Sequence, residues 1–158
     1  MNKSNDFREH ITEVVKTLQV SAEDFHLVSL YKYEDVLVSI LNKFTVLGKK
    51  GIGCNWWWND FKKPTASVYH EYPPGILEQL IPSQEKVWFI VEDTYSGKQN
   101  GFHWLYEGKL ETVVSIIGET TYGFEYYIAS KKLQWLIGET HHNVLVGTGD
   151  YMVKKIEN

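Results

Sequence analysis

The sequence has one cysteine, Cys54, in 158 residues, so no disulfide can close within the chain, and a reducing, cytoplasmic setting is expected. Long apolar runs are also missing. No stretch approaches the ~18 consecutive apolar residues that a membrane span needs. The opening MNKSNDFREH is charged and lacks the apolar segment of a signal peptide, so no membrane association is expected. Positive charge is in deficit. The net charge of −4 argues against nucleic acid as a general partner. Compact catalytic motifs are absent too. There is no G-x-x-x-x-G-K-[ST], G-x-G-x-x-G, G-x-S-x-G or H-E-x-x-H, and no zinc-ligand spacing. Nucleotide hydrolysis, dinucleotide chemistry and hydrolase triads therefore have no local support. No catalytic residue, metal or cofactor is assigned from sequence.

What the chain does have is apolar and aromatic content. At 43% hydrophobic and 15% aromatic it is too rich for disorder. A chain of this length buries roughly 70% of its unfolded surface, enough for one core without staples. With no linker and no internal repeat, residues 1–158 are expected to form a single domain.

Periodicity sets the elements. Phe7, Ile11, Val14, Val15 and Leu18 fall on one helical face, as do Tyr33, Val36, Leu37, Ile40, Leu41 and Phe44. Ser21 opens a short turn through Ala22–His26, and Val68–Tyr72 reads as a short strand before Pro73 and Pro74. Val87–Val91 is continuously apolar, the pattern of a strand covered on both faces. Turn signals between Asp93 and Gly101 predict a hairpin to Phe102–Tyr106. Leu110, Val113, Val114 and Ile117 predict a helix in spite of their β-branched members. Phe124–Ala129 and Leu133–Ile137 predict a second hairpin, and Val144–Val153 one or two edge strands. The fold class is α+β, with N-terminal helices packed on a mainly antiparallel sheet of four to six strands and one helix inserted between two hairpins. The predicted core is Val14, Leu37, Ile40, Leu41, Trp88, Ile90, Trp104, Val114, Tyr126, Trp135 and Ile137.

Two constellations carry chemical interest. Trp56, Trp57 and Trp58 are adjacent, and three adjacent side chains cannot all face one side of a strand or helix. At least one must meet solvent, another element or a partner. Which one is not decided by spacing. Lys49, Lys50, Lys62 and Lys63 flank them, but the segment is short and lacks arginine, a poor match to single-strand nucleic-acid binding. The second constellation is Glu139-Thr140-His141-His142. A carboxylate beside an imidazole can bind a metal or exchange a proton, with His103 as a third group. The same histidines can equally cap a strand end. Glu92 and Asp93 form a carboxylate pair of the kind that serves as general acid and base, but they read first as turn-forming acids, and Glu125 as a surface ion-pair partner of Lys131 or Lys132.

The run Glu125-Tyr126-Tyr127-Ile128, then Lys132-Leu133-Gln134-Trp135-Leu136-Ile137, then Glu139 and His141-His142, resembles a pattern in small uncharacterised bacterial proteins. The layout of N-terminal helices before a curled, aromatic sheet is similar to the SMI1/KNR4-like group. That resemblance implies a cytoplasmic immunity protein that neutralises a toxin, and it carries over no catalytic residue. Tryptophan and tyrosine anchor protein interfaces, and an acidic bulk steers basic partners. The expected function is a non-catalytic cytoplasmic protein-binding domain of the immunity type, with Trp56, Trp57, Trp58, Glu139, His141 and His142 as binding residues and a protein, such as a toxin, as partner. The alternative is a small enzyme or metal-binding protein with its site near Glu139, His141 and His103.

Overall fold

The computed structural model describes residues 6–93, 102–120 and 124–158. Its architecture grows from β3 (Lys86–Asp93), buried at every position after the first. Such a strand needs a layer on each side. Val87, Phe89 and Val91 enter one core, while Trp88 and Ile90 enter another, as the two-residue period of a strand requires.

β3 pairs antiparallel with β4 (Phe102–Lys109) on one side and β5 (Glu125–Ser130) on the other. β4 and β5 therefore run the same way, and their connection must cross a face of the sheet. α4 (Leu110–Glu119) is that crossing, with Leu110, Val113, Ile116 and Ile117 buried beneath it. The periodicity of this segment outweighed its β-branched composition. β6 (Leu136–Glu139) follows β5 as the second hairpin. It starts three residues later than Leu133, which sits in a left-handed bend at φ 56°. The turn expected between Asp93 and Gly101 lies outside the described residues.

The sheet is fully antiparallel, ordered β1-β4-β3-β5-β6-β7-β2, and its seven strands exceed the expected four to six. β1 (Phe25–Leu27) is the strand that sequence reading took for part of a turn. It reaches β4 closely because Gly108 has no side chain. A Cβ there would meet the Asp24 carbonyl at 2.7 Å and the Phe25 ring at 2.8 Å. β2 covers Thr65–Tyr69 rather than Val68–Tyr72, since His70 already turns the chain, its Nδ1 accepting from the Tyr72 N–H. β7 (Val144–Thr148) is not an edge strand, because β2 returns from far upstream to cover it. Beyond Gly149, at φ 93°, the tail is helix α5 (Asp150–Glu157), which seats Met152 and Val153.

One face carries α1 (Asp6–Thr17), α3 (Leu77–Leu80), α4 and α5; the other carries α2 (Leu30–Phe44) and the 3-10 turns at Gly48–Gly53 and Trp57–Asp60. α2 is capped by the Ser29 hydroxyl, which accepts from the Tyr31 N–H at 3.2 Å, and it buries Leu37, Ile40, Leu41 and Phe44. Of the predicted core, Trp104 and Val114 are only half-buried and the other nine are buried. Among the described residues no helix is long and apolar enough to cross a membrane.

Candidate functional site

The cross-strand register gathers polar groups at one end of the sheet. Glu92 at the end of β3 lies opposite His103 of β4 and Glu125 of β5, all three on the α2 face. Glu139, at the end of β6, lies opposite Tyr126 and on the other face. The tryptophan run closes over this end. Trp56 takes the left-handed conformation, φ 58° and ψ 52°, an uncommon one for so bulky a residue. The bend sends the three indoles to three environments. Trp57 is 0% exposed and stacks on His103 at 4.4 Å and on Tyr127 at 4.9 Å, its Nε1–H donating to the Gly51 carbonyl at 2.7 Å. Tyr127 finds room because Gly138 lies opposite it, where a Cβ would fall 2.5 Å from its ring. Trp58 is half-buried and donates from Nε1 to Glu125 Oε1 at 2.8 Å. Trp56 donates its backbone N–H to Glu92 Oε2 at 3.1 Å and is itself 47% exposed.

Beside these indoles opens a cavity of about 300 Å³, lined by Glu92, Glu125, Glu139, Phe124, His141 and Asn143 among others. His141 forms its rim. Its ring lies 5.6 Å from that of Trp56, 5.9 Å from that of Trp58 and 4.0 Å from that of His142, and its Nδ1 is 3.6 Å from Glu125 Oε1.

The electrostatics follow from burial. Glu92 is 1% exposed, and desolvation pushes its carboxyl up to about 7, opposed by the Trp56 N–H and reinforced by the charge of Glu125. Its Oε1 has no hydrogen-bond partner. His103 is 0% exposed and burial lowers it to about 4, so it is neutral at pH 7. Its Nε2 is 4.0 Å from Glu92 Oε2, too long for a hydrogen bond. The Ile52 backbone lies near the ring, yet neither ring nitrogen makes a hydrogen bond of good geometry. Glu139 is also raised, first by burial, with the Tyr126 hydroxyl donating at 2.6 Å in partial compensation and the Glu125 charge adding to the rise. Burial raises the phenols of Tyr126 and Tyr127 well above their ordinary range.

All six residues expected from sequence, Trp56, Trp57, Trp58, Glu139, His141 and His142, come to this end. Trp57 is walled in and serves as its packing centre rather than as a contact surface. The alternative triad is not assembled as expected. Glu139 and His141 share the cavity, but His103 lies beneath Trp57 and faces Glu92. Among the described residues no group of three or more His, Cys, Asp or Glu side chains is placed to hold a metal ion. Three acids, Glu92, Asp93 and Glu125, take other roles than their sequence suggests. Glu125 is no surface partner of lysine: Lys131 pairs instead with Glu107 at 2.8 Å, and Glu125 serves Trp58 and the cavity. Glu92 and Asp93 are strand, not turn, and Asp93 accepts from the Trp104 indole at 2.9 Å. Their signal was present, because they continue a run that demanded cover on both faces.

No curated protein and no solved structure matches the chain. Residues 3–158 match the model described as "Family of unknown function (DUF6756)", and with nearly its whole length covered the chain belongs to that family.

Proposed function

We propose that this chain is a non-catalytic, cytoplasmic protein-binding domain that docks a basic partner at the tryptophan and carboxylate end of its sheet. The observation that carries this reading is Trp56. The residue is 47% exposed while its backbone is fastened to the buried Glu92, so a large anchor is presented on a fixed mount. Glu92, Glu125 and Glu139 line the neighbouring cavity, with no lysine or arginine among its described lining residues. An aromatic anchor edged by carboxylates suits a partner with basic side chains. The narrower reading, an immunity-type inhibitor that neutralises a toxin, rests on the resemblance of layout to SMI1/KNR4-like proteins. Affinity capture with the wild type and with Trp56→Ala as baits tests the proposal. A basic protein retained by the first and lost by the second, at unchanged melting temperature, supports it. Equal retention by both baits removes Trp56 as the anchor.

A second reading is favoured by one observation, the carboxyl of Glu92 poised near neutral pH in a concave site. It makes Glu92, rather than His103, the acid–base partner of Glu139 and His141. A bell-shaped pH–rate profile lost in Glu92→Gln would support this reading against the first.

A further inference from the structure

The sheet of this protein carries other tryptophan–carboxylate pairs, and the chain fills them with its own cations. Lys131 sits 4.7 Å over the Trp88 ring while its Nζ pairs with Glu107 at 2.8 Å. Arg8 sits 4.7 Å over the ring of Trp104, whose Nε1 donates to Asp93 at 2.9 Å. The arrangement is the ordinary one for an organic cation, with a π-face against the charge and a carboxylate beside it. At the cavity the carboxylates are more numerous, and the indoles of Trp56 and Trp58 lie beside it rather than among its lining residues. Glu92 accepts from the Trp56 backbone N–H and Glu125 from the Trp58 indole, Glu139 lines the same cavity, and no lysine or arginine among the described lining residues fills the space.

Resting on the docking reading above, we infer that this cavity is the recognition pocket for one lysine or arginine side chain of the partner, whose ammonium or guanidinium is received by the carboxylates of Glu92, Glu125 and Glu139. Four observations converge. Glu92 is one of the lining residues, and its buried Oε1 lacks a partner, a costly state that a donor would relieve. The negative charge of Glu125 bears on both Glu92 and Glu139, so a bound cation lowers a repulsion already present. The volume, about 300 Å³, stands at the lower bound of small-molecule sites, which fits one side chain better than a cofactor. The carboxylates do not gather into a metal-binding group among the described residues, which leaves a cation that is recognised by hydrogen bonds rather than by coordination.

Binding is expected to strengthen as pH rises. A cation favours the ionised form of Glu92, whose carboxyl is raised to about 7, so complex formation releases a proton below that pH. The groups that face Glu92 are His103 from β4, Glu125 and Tyr127 from β5, and the Trp56 N–H from the loop. Glu139 from β6 and His141 on the rim share its cavity. His103 stays neutral above about 4, so it does not compete for the charge.

The test is a titration of the full chain with Nα-acetyl-lysine methylamide and Nα-acetyl-arginine methylamide, followed through the Trp58 indole N–H and the His141 ring by NMR. Nα-acetyl-norleucine methylamide and calcium, magnesium and zinc chloride serve as controls. Saturable binding of a basic amide, at least fivefold tighter at pH 8 than at pH 6 and weakened at least tenfold in Glu125→Gln and in Glu92→Gln, is expected. Equal binding of the norleucine amide, tighter binding of a divalent metal, or unchanged affinity in the half-buried Glu125→Gln variant would overturn the assignment. The same variants used as capture baits separate the two claims. A partner that needs Trp56 but tolerates both glutamine variants removes the pocket and leaves the docking end. A pocket that binds basic amides while no partner depends on Trp56 keeps the pocket and removes the docking reading.

Discussion

Replacing Glu92 by glutamine should stabilise this protein, and by more at high pH than at low. Glu92 is buried, its folded-state carboxyl stands near 7 against an ordinary 4.5, and its Oε1 is unpartnered. The folded chain therefore holds a proton that the unfolded chain has already released between those two values. Raising the pH across that window favours unfolding, so stability present below 4.5 is progressively lost up to about 7. Integrated from pH 5 to pH 8, the loss amounts to roughly 2–3 kcal/mol in the wild type. Glutamine keeps an oxygen for the Trp56 N–H and has no proton to lose. His103 acts in the opposite sense. Its pKa is lowered to about 4, so its contribution is present above 6.5 and lost as the pH falls towards 4. It is common to both proteins and cancels in their difference. Urea unfolding of wild type and Glu92→Gln at pH 5 and pH 8 measures the effect. The variant's advantage should grow by roughly 2–3 kcal/mol between the two. An advantage that stays constant with pH, or that shrinks, would refute the assignment of a buried, protonable carboxyl at this position.

Trp57→Ala should lower stability by about 3–5 kcal/mol, since a fully buried indole leaves its volume behind, and the loss is read from the urea midpoint. Trp56→Ala, by contrast, should change stability by no more than roughly 0.5 kcal/mol, and a larger loss would make Trp56 a core residue. Trp135→Ala should cost about 3–5 kcal/mol, because Trp135 is buried where β6 begins. Gly108→Ala should detach β1 from β4, visible as faster amide exchange at Phe25–Leu27, because the new methyl meets backbone as well as the Phe25 ring.

The central part of the fold was readable because its pattern is local. The uninterrupted run Val87–Val91 announced a strand covered on both faces, and the spacing of Leu110, Val113 and Ile117 announced α4 against its own propensity. The elements that were misread depend on distant partners. Phe25–Leu27 is a strand only because β4 lies beside it, and β7 is interior only because β2 arrives from the other half of the chain. The candidate site divides in the same way. That three adjacent tryptophans cannot share one environment follows from side-chain geometry alone, and the outcome was one indole inside, one between and one outside. Glu92 and Glu125 were missed because their roles arise from cross-strand pairing, which a single sequence does not display. His103 was placed with the wrong carboxylate for the same reason. Its register partner is Glu92, not Glu139.

The covering of one face by α2 has a consequence for how the protein is made. α2 emerges from the ribosome before any strand it will cover, and its buried residues Leu37, Ile40, Leu41 and Phe44 pack on Trp88, Leu105, Tyr127 and Leu136. At ordinary rates of ~5–20 residues per second, Leu136 follows Phe44 by roughly 5–20 seconds. Through that interval the helix has an apolar stripe and no sheet to lay it on. This face of the fold is therefore expected to close only after β6 has been made, and the nascent N-terminal half is the segment on which a ribosome-associated chaperone would act.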